Sequence, residues 1–422
     1  MNVQEMDRII TQATSSLART DPSESIISLS PLLNTTEGRK FLASQHGEKG
    51  LALVELLDWG LQSREVSFDK GRAFSVLRRL CANLETLPKS CILQIKFKPD
   101  FPRYAVGEFA DVWKGTYDGR EVVFKSIRVG VVDEETRKRK RRFAQEVVLW
   151  KNVNHPNIHE LIGVCCWDSV PDAGLTMVST WMPNGNIIEY IEHNESHRME
   201  LLINCAKGIQ YLHRAKLVHG DLKGANILIT PDNPVRACLT DFAFTTIAHD
   251  ESEVGGGTTL FMAPELLCQA TFGETRCQVS KEADIYAFGM VILQVLTGPM
   301  PFHTIWSAGI ANKVIQGDHT AMSSDANDLG ISGGLWKLLI RCWDTVYTER
   351  PQIKEVLQHL CQDPARGLTL PPSRLPPPSE DPNPAQSYIA ETFVNAESRP
   401  NQRLVNKLDK GGHSRRPNWN QS

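Results

Sequence analysis

His219-Gly220-Asp221-Leu222-Lys223-Gly224-Ala225-Asn226 is the stretch on which the reading of this chain turns. Downstream of it, in order, come Asp241-Phe242-Ala243, Ala263-Pro264-Glu265, Asp284-Ile285-Tyr286-Ala287-Phe288-Gly289 and Glu349-Arg350-Pro351. The surroundings differ on its two sides. From about Phe101 the pattern is that of strands, and Gly119-Arg120 separates two β-rich runs, Val112 to Tyr117 and Glu121 to Val129, as a hairpin does. After about residue 185 the segments read mainly as helices, clearest over Ile187 to Ile191, Leu201 to Leu212 and Ile285 to Leu296. A small β-rich lobe followed by a larger helical lobe predicts a cleft between the two.

Two charges are predicted to be buried in the small lobe. On a strand through Val122-Val123-Phe124-Lys125-Ser126-Ile127, the residues Val123, Lys125 and Ile127 share one face, which sets an ammonium among apolar neighbours. Further on, Asp133 is placed to cap a helix with Glu134 and Glu135 in its first turn. On that helix Phe143, Glu146, Val147 and Trp150 fall on one stripe, which sets a carboxylate on a buried face. A pairing of Lys125 with Glu146 satisfies both charges at once. The alternative is that each reaches water along its own amphipathic stem.

Composition bounds the rest. The chain has 422 residues, enough for two or three domains, and a formal net charge of −3, so no global field points to nucleic acid or to a membrane surface. Met1 to Ile10 carries acidic residues without an apolar core and does not read as a secretory signal. The longest apolar stretch, Ala287 to Leu296, is too short to span a bilayer. Ten cysteines, several inside apolar runs (Cys165, Cys166, Cys238, Cys342), read as buried free thiols of a reducing compartment. The expectation is a soluble, cytoplasmic protein, with the nucleus as the alternative.

Taken together, the quoted runs resemble the eukaryotic protein kinases. Residues 219–226 resemble the catalytic loop H-R-D-L-x-x-x-N, Asp241-Phe242-Ala243 the metal-binding D-F-G, and Ala263-Pro264-Glu265 matches A-P-E. Val123, Phe124 and Lys125 then fall where the family keeps V-A-I-K. The resemblance covers about residues 100 to 362 and rests on many motifs in collinear order, not on any single one. It implies an α+β, bilobal kinase fold, with one key helix in the small β-rich lobe and a large helical lobe. It implies transfer of the γ-phosphoryl group of ATP to Ser or Thr of protein substrates, with ATP and Mg2+ as cofactors.

The same resemblance assigns roles residue by residue. Lys125, held by Glu146, is to grip the α- and β-phosphates, and Asp241 and Asn226 are to hold Mg2+. Asp221 is to orient the acceptor hydroxyl and take its proton, with Lys223 beside the γ-phosphoryl and Thr258 bracing both. Thr180-Trp181-Met182 is the expected hinge against the adenine edge, and Ser179 the gate to the space behind it. Val112, Val123 and Leu228 are to sandwich the base, under a phosphate-covering loop from Ala105 through Gly107 to Val112. Lysine two places after Asp221 is the serine/threonine pattern. Gly257-Thr258 before Phe261-Met262-Ala263, and Cys342-Trp343 before Glu349, resemble the tyrosine-kinase-like group, whose members mostly phosphorylate Ser and Thr.

Three departures stand out. The phosphate-covering loop keeps one glycine of three, Gly107, which predicts weakened nucleotide binding. Gly220 replaces the arginine that in the family meets a phosphate on the activation loop, so activity is not expected to depend on loop phosphorylation by that route. Ala243 replaces the glycine after Asp241-Phe242, and its Cβ predicts a stiffer segment. These departures leave a rival open: a nucleotide-binding pseudokinase acting as scaffold or allosteric regulator.

Three regions are expected: helices over residues 1–95, the kinase domain over 96–362, and a Pro-rich disordered tail over 363–422. In the first, apolar residues recur at helical spacing (Leu51, Leu53, Val54, Leu57; Phe74, Val76, Leu77, Leu80), with breaks at Asp21-Pro22 and Asn34 to Gly38. It reads as an interaction or regulatory unit for a partner protein. Pro376-Pro377-Pro378 after Arg374 is a candidate ligand for a proline-reading adaptor, against a plain solvated tail. The run Arg137-Lys138-Arg139-Lys140-Arg141-Arg142 admits three readings: a nuclear-import signal, a patch for an acidic substrate or loop phosphate, or the solvated start of the Glu146 helix.

Overall fold

A computed structural model describes residues 1–15, 22–63, 66–95, 103–106, 110–128, 134–165, 173–194, 197–247, 258–267, 279–298 and 331–363. Gly107, Asp133, Cys166 and the proline-rich tail lie outside the described residues.

The first region is helical. It comprises α1 (Val3–Ser15), α2 (Pro22–Ser28), α3 (Ser30–Leu33), α4 (Thr36–Ala43), α5 (Gly47–Gln62) and α6 (Lys70–Leu84). Local chemistry sets the boundaries. Pro22 opens α2, where its missing N–H costs nothing. The Thr35 side chain caps α4 through the Gly38 amide, and Asp69 caps α6 through the Arg72 amide. Ile10, Ile26, Leu32, Leu53, Leu57, Leu77 and Leu80 are fully buried in one core. Leu51 departs from the predicted stripe and is 49% exposed. It lies about 160° around the helix from Leu53, on the solvent side.

A five-stranded antiparallel sheet follows, in the order β1-β2-β3-β5-β4. Its strands are β1 (Arg103–Val106), β2 (Ala110–Tyr117), β3 (Arg120–Arg128), β4 (Leu161–Cys165) and β5 (Ala173–Thr180). The β2–β3 hairpin turns at Asp118 and Gly119, both at positive φ. Between β3 and β4 runs α7 (Glu134–Lys151).

Two stripes of α7 are buried, not one. Phe143, Val147 and Trp150 join the core shared with the larger lobe, whereas Ala144 and Val148 join the core of the first region. The helical region therefore packs directly on the helix that carries Glu146. Arg141 lies 3.9 Å from Glu85 at the end of α6, adding a polar contact along the same seam. Arg137, Lys138, Arg141 and Arg142 of the basic run are exposed. After α6 the chain also joins the sheet, where the Leu93 amide donates to Val164 O of β4 at 2.7 Å.

The larger lobe is built on α8 (Ile187–His193), α9 (Arg198–Arg214) and, further on, α10 (Lys281–Thr297), α11 (Gly333–Cys342) and α12 (Ile353–Gln362). Between α9 and α10 lie the short strands β6 (Leu217–Val218), β7 (Ile227–Ile229), β8 (Ala237–Leu239) and β9 (Thr246–Ile247), paired as β7–β8 and β6–β9. Residues 283–296 of α10 are all buried, as expected of a central helix that is apolar all round. Arg350 and Glu265 form a two-pronged ion pair at 2.7 and 2.8 Å, closing the lobe around α10. No helix among the described residues is long and apolar enough to cross a membrane.

Candidate active site

Strand register assembles the upper wall of the site. Lys125 of β3 stands between Val112 of β2 and Met177 of β5, and Val123 stands beside Ser179. Below them lie β7 and β8. A cavity of about 370 Å³ opens between the two layers, lined among others by Val112, Val123, Lys125, Ser179, Met182, Leu228 and Asp241. Ala105 pairs in register with Val112 on β1.

The expected hinge lines the cavity along one side. Its middle amide, Trp181 N–H, is engaged by Glu121 O at 3.0 Å. Trp150, His159 and Met177 line the same cavity as Ser179. His159, which no motif or spacing in the sequence marks, is 3% exposed. Its Nε2 is 2.9 Å from Thr180 O and its Nδ1 is 3.2 Å from Thr240 Oγ1. Burial lowers its pKa to about 4, against a smaller raising effect of the Thr180 carbonyl, so the ring is neutral. A carbonyl only accepts, so Nε2 carries the proton and Nδ1 accepts from the Thr240 hydroxyl. This ring ties the hinge to the residue before Asp241.

The catalytic-loop residues form one network. Asp221 Oδ1 accepts from the Thr258 amide at 2.9 Å and its hydroxyl at 3.2 Å. Asp221 Oδ2 accepts from Asn226 Nδ2 at 3.0 Å and lies 3.0 Å from Lys223 Nζ. Lys223 Nζ in turn donates to Thr258 Oγ1 at 2.8 Å. The loop is anchored from below by Asp284 of α10, which accepts from the amides of His219 at 2.8 Å and Gly220 at 3.0 Å. His213 Nε2 lies 2.9 Å from the same carboxylate. Asp284, expected to be structural, holds the backbone on which Asp221 stands.

Gly220 has φ +81, and a Cβ built there would come within 2.5 Å of the Phe244 carbonyl oxygen. In this backbone the segment after Asp241 occupies the space that a side chain at position 220 needs. Asp241 itself sits at φ +65, an uncommon conformation for a residue with a side chain. Phe242, 1% exposed, packs between Trp150 of α7, with ring centroids 5.6 Å apart, and His219, at 5.4 Å.

Electrostatics favour an anionic Asp241. Burial alone pushes its carboxyl upward, but the charges of Lys125 and Lys223, with lesser contributions from His219 and the Ala243 amide, outweigh it and hold the group below the usual carboxylate range. Lys125 Nζ lies 3.9 Å from Asp241 Oδ1. Glu146 is 6% exposed on α7.

The residues present suit a hard cation. Among the described residues, Asn226 Oδ1 and Asp241 Oδ1 are buried oxygens without a hydrogen-bond donor. Asn226 directs its Nδ2 to Asp221, which leaves its carbonyl oxygen for another partner. One carboxylate and one amide oxygen are a fitting donor set for Mg2+ completed by phosphates and water.

Comparison with known proteins agrees with this geometry. Serine/threonine-protein kinase STY46 of Arabidopsis thaliana is 28% identical over 269 residues, covering 61% of this chain and 43% of that protein. Serine/threonine/tyrosine-protein kinase HT1 of the same plant is 27% identical over 266 residues, covering 60% and 63%. Dual specificity protein kinase zakA of Dictyostelium discoideum is 27% identical over 283 residues, covering 61% and 34%. The chain thus spans less than two thirds of the length of each of these relatives. Residues 103–360 match the family described as protein tyrosine and serine/threonine kinase. With that match and the bilobal α+β architecture, the chain belongs to the protein kinase family.

Proposed function

We propose that the chain is an active protein kinase that transfers the γ-phosphoryl group of ATP to serine or threonine of a protein substrate. The observation that carries this reading is the Asp221–Lys223–Asn226–Thr258 network, which meets the cavity lined by Lys125 and Asp241 at Asn226.

Adenine enters between Val112, Val123 and Leu228, against the hinge at Thr180 to Met182. On this reading Lys125 pairs with Glu146 and meets the α- and β-phosphates. Asn226 and Asp241 would hold Mg2+, which would neutralise phosphate charge. The four donors on Asp221 fill the lone-pair positions of its carboxylate. Room for a substrate hydroxyl therefore arises as Lys223 turns toward the γ-phosphoryl while keeping its bond to Thr258. Asp221 then takes the hydroxyl proton as that oxygen bonds to phosphorus. The bond to the β–γ bridging oxygen breaks, and ADP leaves with the electron pair. Little covalent chemistry is asked of the protein; positioning and charge do the task.

The rival, a nucleotide-binding pseudokinase, draws on the single glycine of the phosphate-covering loop. Retention of Lys125, Glu146, Asp221, Lys223, Asn226 and Asp241 weighs against it, since a scaffold has no chemical need of all six. Phosphoamino-acid analysis of a basic protein incubated with labelled ATP and Mg2+ tests the proposal. Label on Ser or Thr is expected; label confined to Tyr would overturn the specificity, and nucleotide binding without transfer would favour the pseudokinase.

A further inference from the structure

The phosphotransfer reading leaves the first helices without a role, and position 220 without a cation. The two observations meet at Arg78. This residue sits in mid-α6 and is 5% exposed. Its Nη2 donates to the carbonyl oxygen of Thr245 at 3.0 Å, across 167 residues of sequence.

Thr245 is a consequential target. It follows Asp241 by four residues, and its own hydroxyl donates to His219 O at 3.0 Å. The next two residues, Thr246 and Ile247, pair with Val218 and Leu217 just before the catalytic loop. A guanidinium from outside the matched kinase region therefore touches the segment leaving Asp241. Through Thr245 it also reaches the loop that carries Asp221. Gly220 has no room for a side chain to do the same, because Phe244 O lies in the way.

Burying a guanidinium forfeits hydration and rotamer freedom. An apolar residue like Leu77 or Leu80, its neighbours on α6, would complete a helix core without that cost. The cost is understandable if the contact acts on the segment it touches. The same helical region also packs on α7 through Ala144 and Val148. α7 in turn sets Trp150 against Phe242. Asp241-Phe242 is thus flanked by two structures that the helical region holds.

We propose that Arg78 is a positioning residue for phosphotransfer, keeping the strand pair after Asp241 in register with the catalytic loop. Its catalytic consequence rests on the kinase reading above; its structural part does not. The test uses the full chain, with Arg78→Met and Arg78→Lys. It reads amide hydrogen exchange at Thr246 and Ile247, kcat, and KM for ATP.

In Arg78→Met the exchange is expected to rise at least tenfold and kcat to fall about tenfold, with KM for ATP within threefold. Arg78→Lys, which keeps charge and a donor, is expected within threefold of wild type in both exchange and kcat. Unchanged exchange or unchanged kcat in a folded Arg78→Met overturns the proposal, as does a Lys variant as impaired as the Met variant. If Arg78→Met does not fold, Arg78→Gln replaces it under the same thresholds. If wild type transfers no phosphate, the exchange measurement still decides the positioning claim, and it is the kinase reading that fails.

Discussion

Lys223 and Asp221 form an ion pair of 3.0 Å with side chains only 6% and 2% exposed. Two charges so far from water cost desolvation that mutual attraction repays only with further hydrogen bonds. Thr258 supplies them, accepting from Lys223 at 2.8 Å and donating to Asp221 through both amide and hydroxyl. Such a pair is weak as a device for stability. In the proposed reaction it is the proton acceptor and the cation, held together until Lys223 turns to the γ-phosphoryl.

Thr258→Val keeps the amide bond to Asp221 and removes the hydroxyl that both charges share. The expected result is a fall in kcat of about tenfold, on the order of one charge-assisted hydrogen bond, with KM for ATP little changed. Steady-state kinetics checks it, and a rise in KM for ATP with kcat intact would refute the assignment.

Ser179 lines the cavity together with Trp150, His159 and Met177, and the resemblance makes it the gate to the space behind the adenine. Purine analogues bearing a bulky group on the adenine edge are expected to inhibit the wild type and to lose at least tenfold in potency against Ser179→Met, whose side chain fills the gate. Equal inhibition of both proteins would sink this placement of the gate.

His159 makes stability depend on pH. Unfolded, it titrates near its ordinary 6.5, while in the fold it titrates at about 4. Between those values the unfolded chain binds a proton that the folded one refuses. Its contribution to stability is therefore whole above pH 6.5 and falls as pH drops toward 4, by about 1.4 kcal/mol per pH unit and about 3 kcal/mol in all. His159→Gln offers both hydrogen-bonding roles without titrating. Urea unfolding at pH 7.5 and 5.5 should show the wild type losing about 1 kcal/mol more than the variant; identical losses would contradict a neutral buried ring.

Gly220→Ala sets a methyl group against the Phe244 carbonyl at a φ of +81. The expected cost is about 1–3 kcal/mol in unfolding free energy, together with reduced kcat, because the displaced backbone adjoins Asp221. A variant as stable and as active as wild type would show that the segment after Asp241 yields easily.

What the sequence disclosed and what it hid follow from how far apart the partners are. Lys125, Asp221, Asn226 and Asp241 lie in short runs of fixed spacing, so their kinship and order pointed to a cleft before any geometry was known. The face of β3 carrying Val123 and Lys125 followed from a period of two. Contacts with no local period were hidden. Arg78 reaches Thr245 across 167 residues, and nothing in α6 marks it apart from its charge. The second stripe of α7, Ala144 and Val148, was masked by the unbroken apolar run from Val147 to Trp150, which satisfies any helical face. His159 follows Ile158 where no periodicity distinguishes a core histidine from a solvated one. Gly220 announced a missing arginine; that a side chain there would meet the Phe244 carbonyl was visible only in the structure. Leu51 shows the reverse error, an apolar residue assigned to the core and found in solvent.

The most direct test of the central claim is single-turnover transfer from labelled ATP with Mg2+ to a basic protein substrate, comparing wild type with Asp221→Asn. The account predicts transfer by wild type and a loss of at least a hundredfold in the variant, whose amide cannot take the hydroxyl proton, with ATP binding retained in both. Equal transfer by the two proteins, or none by a wild type that still binds ATP, would contradict it.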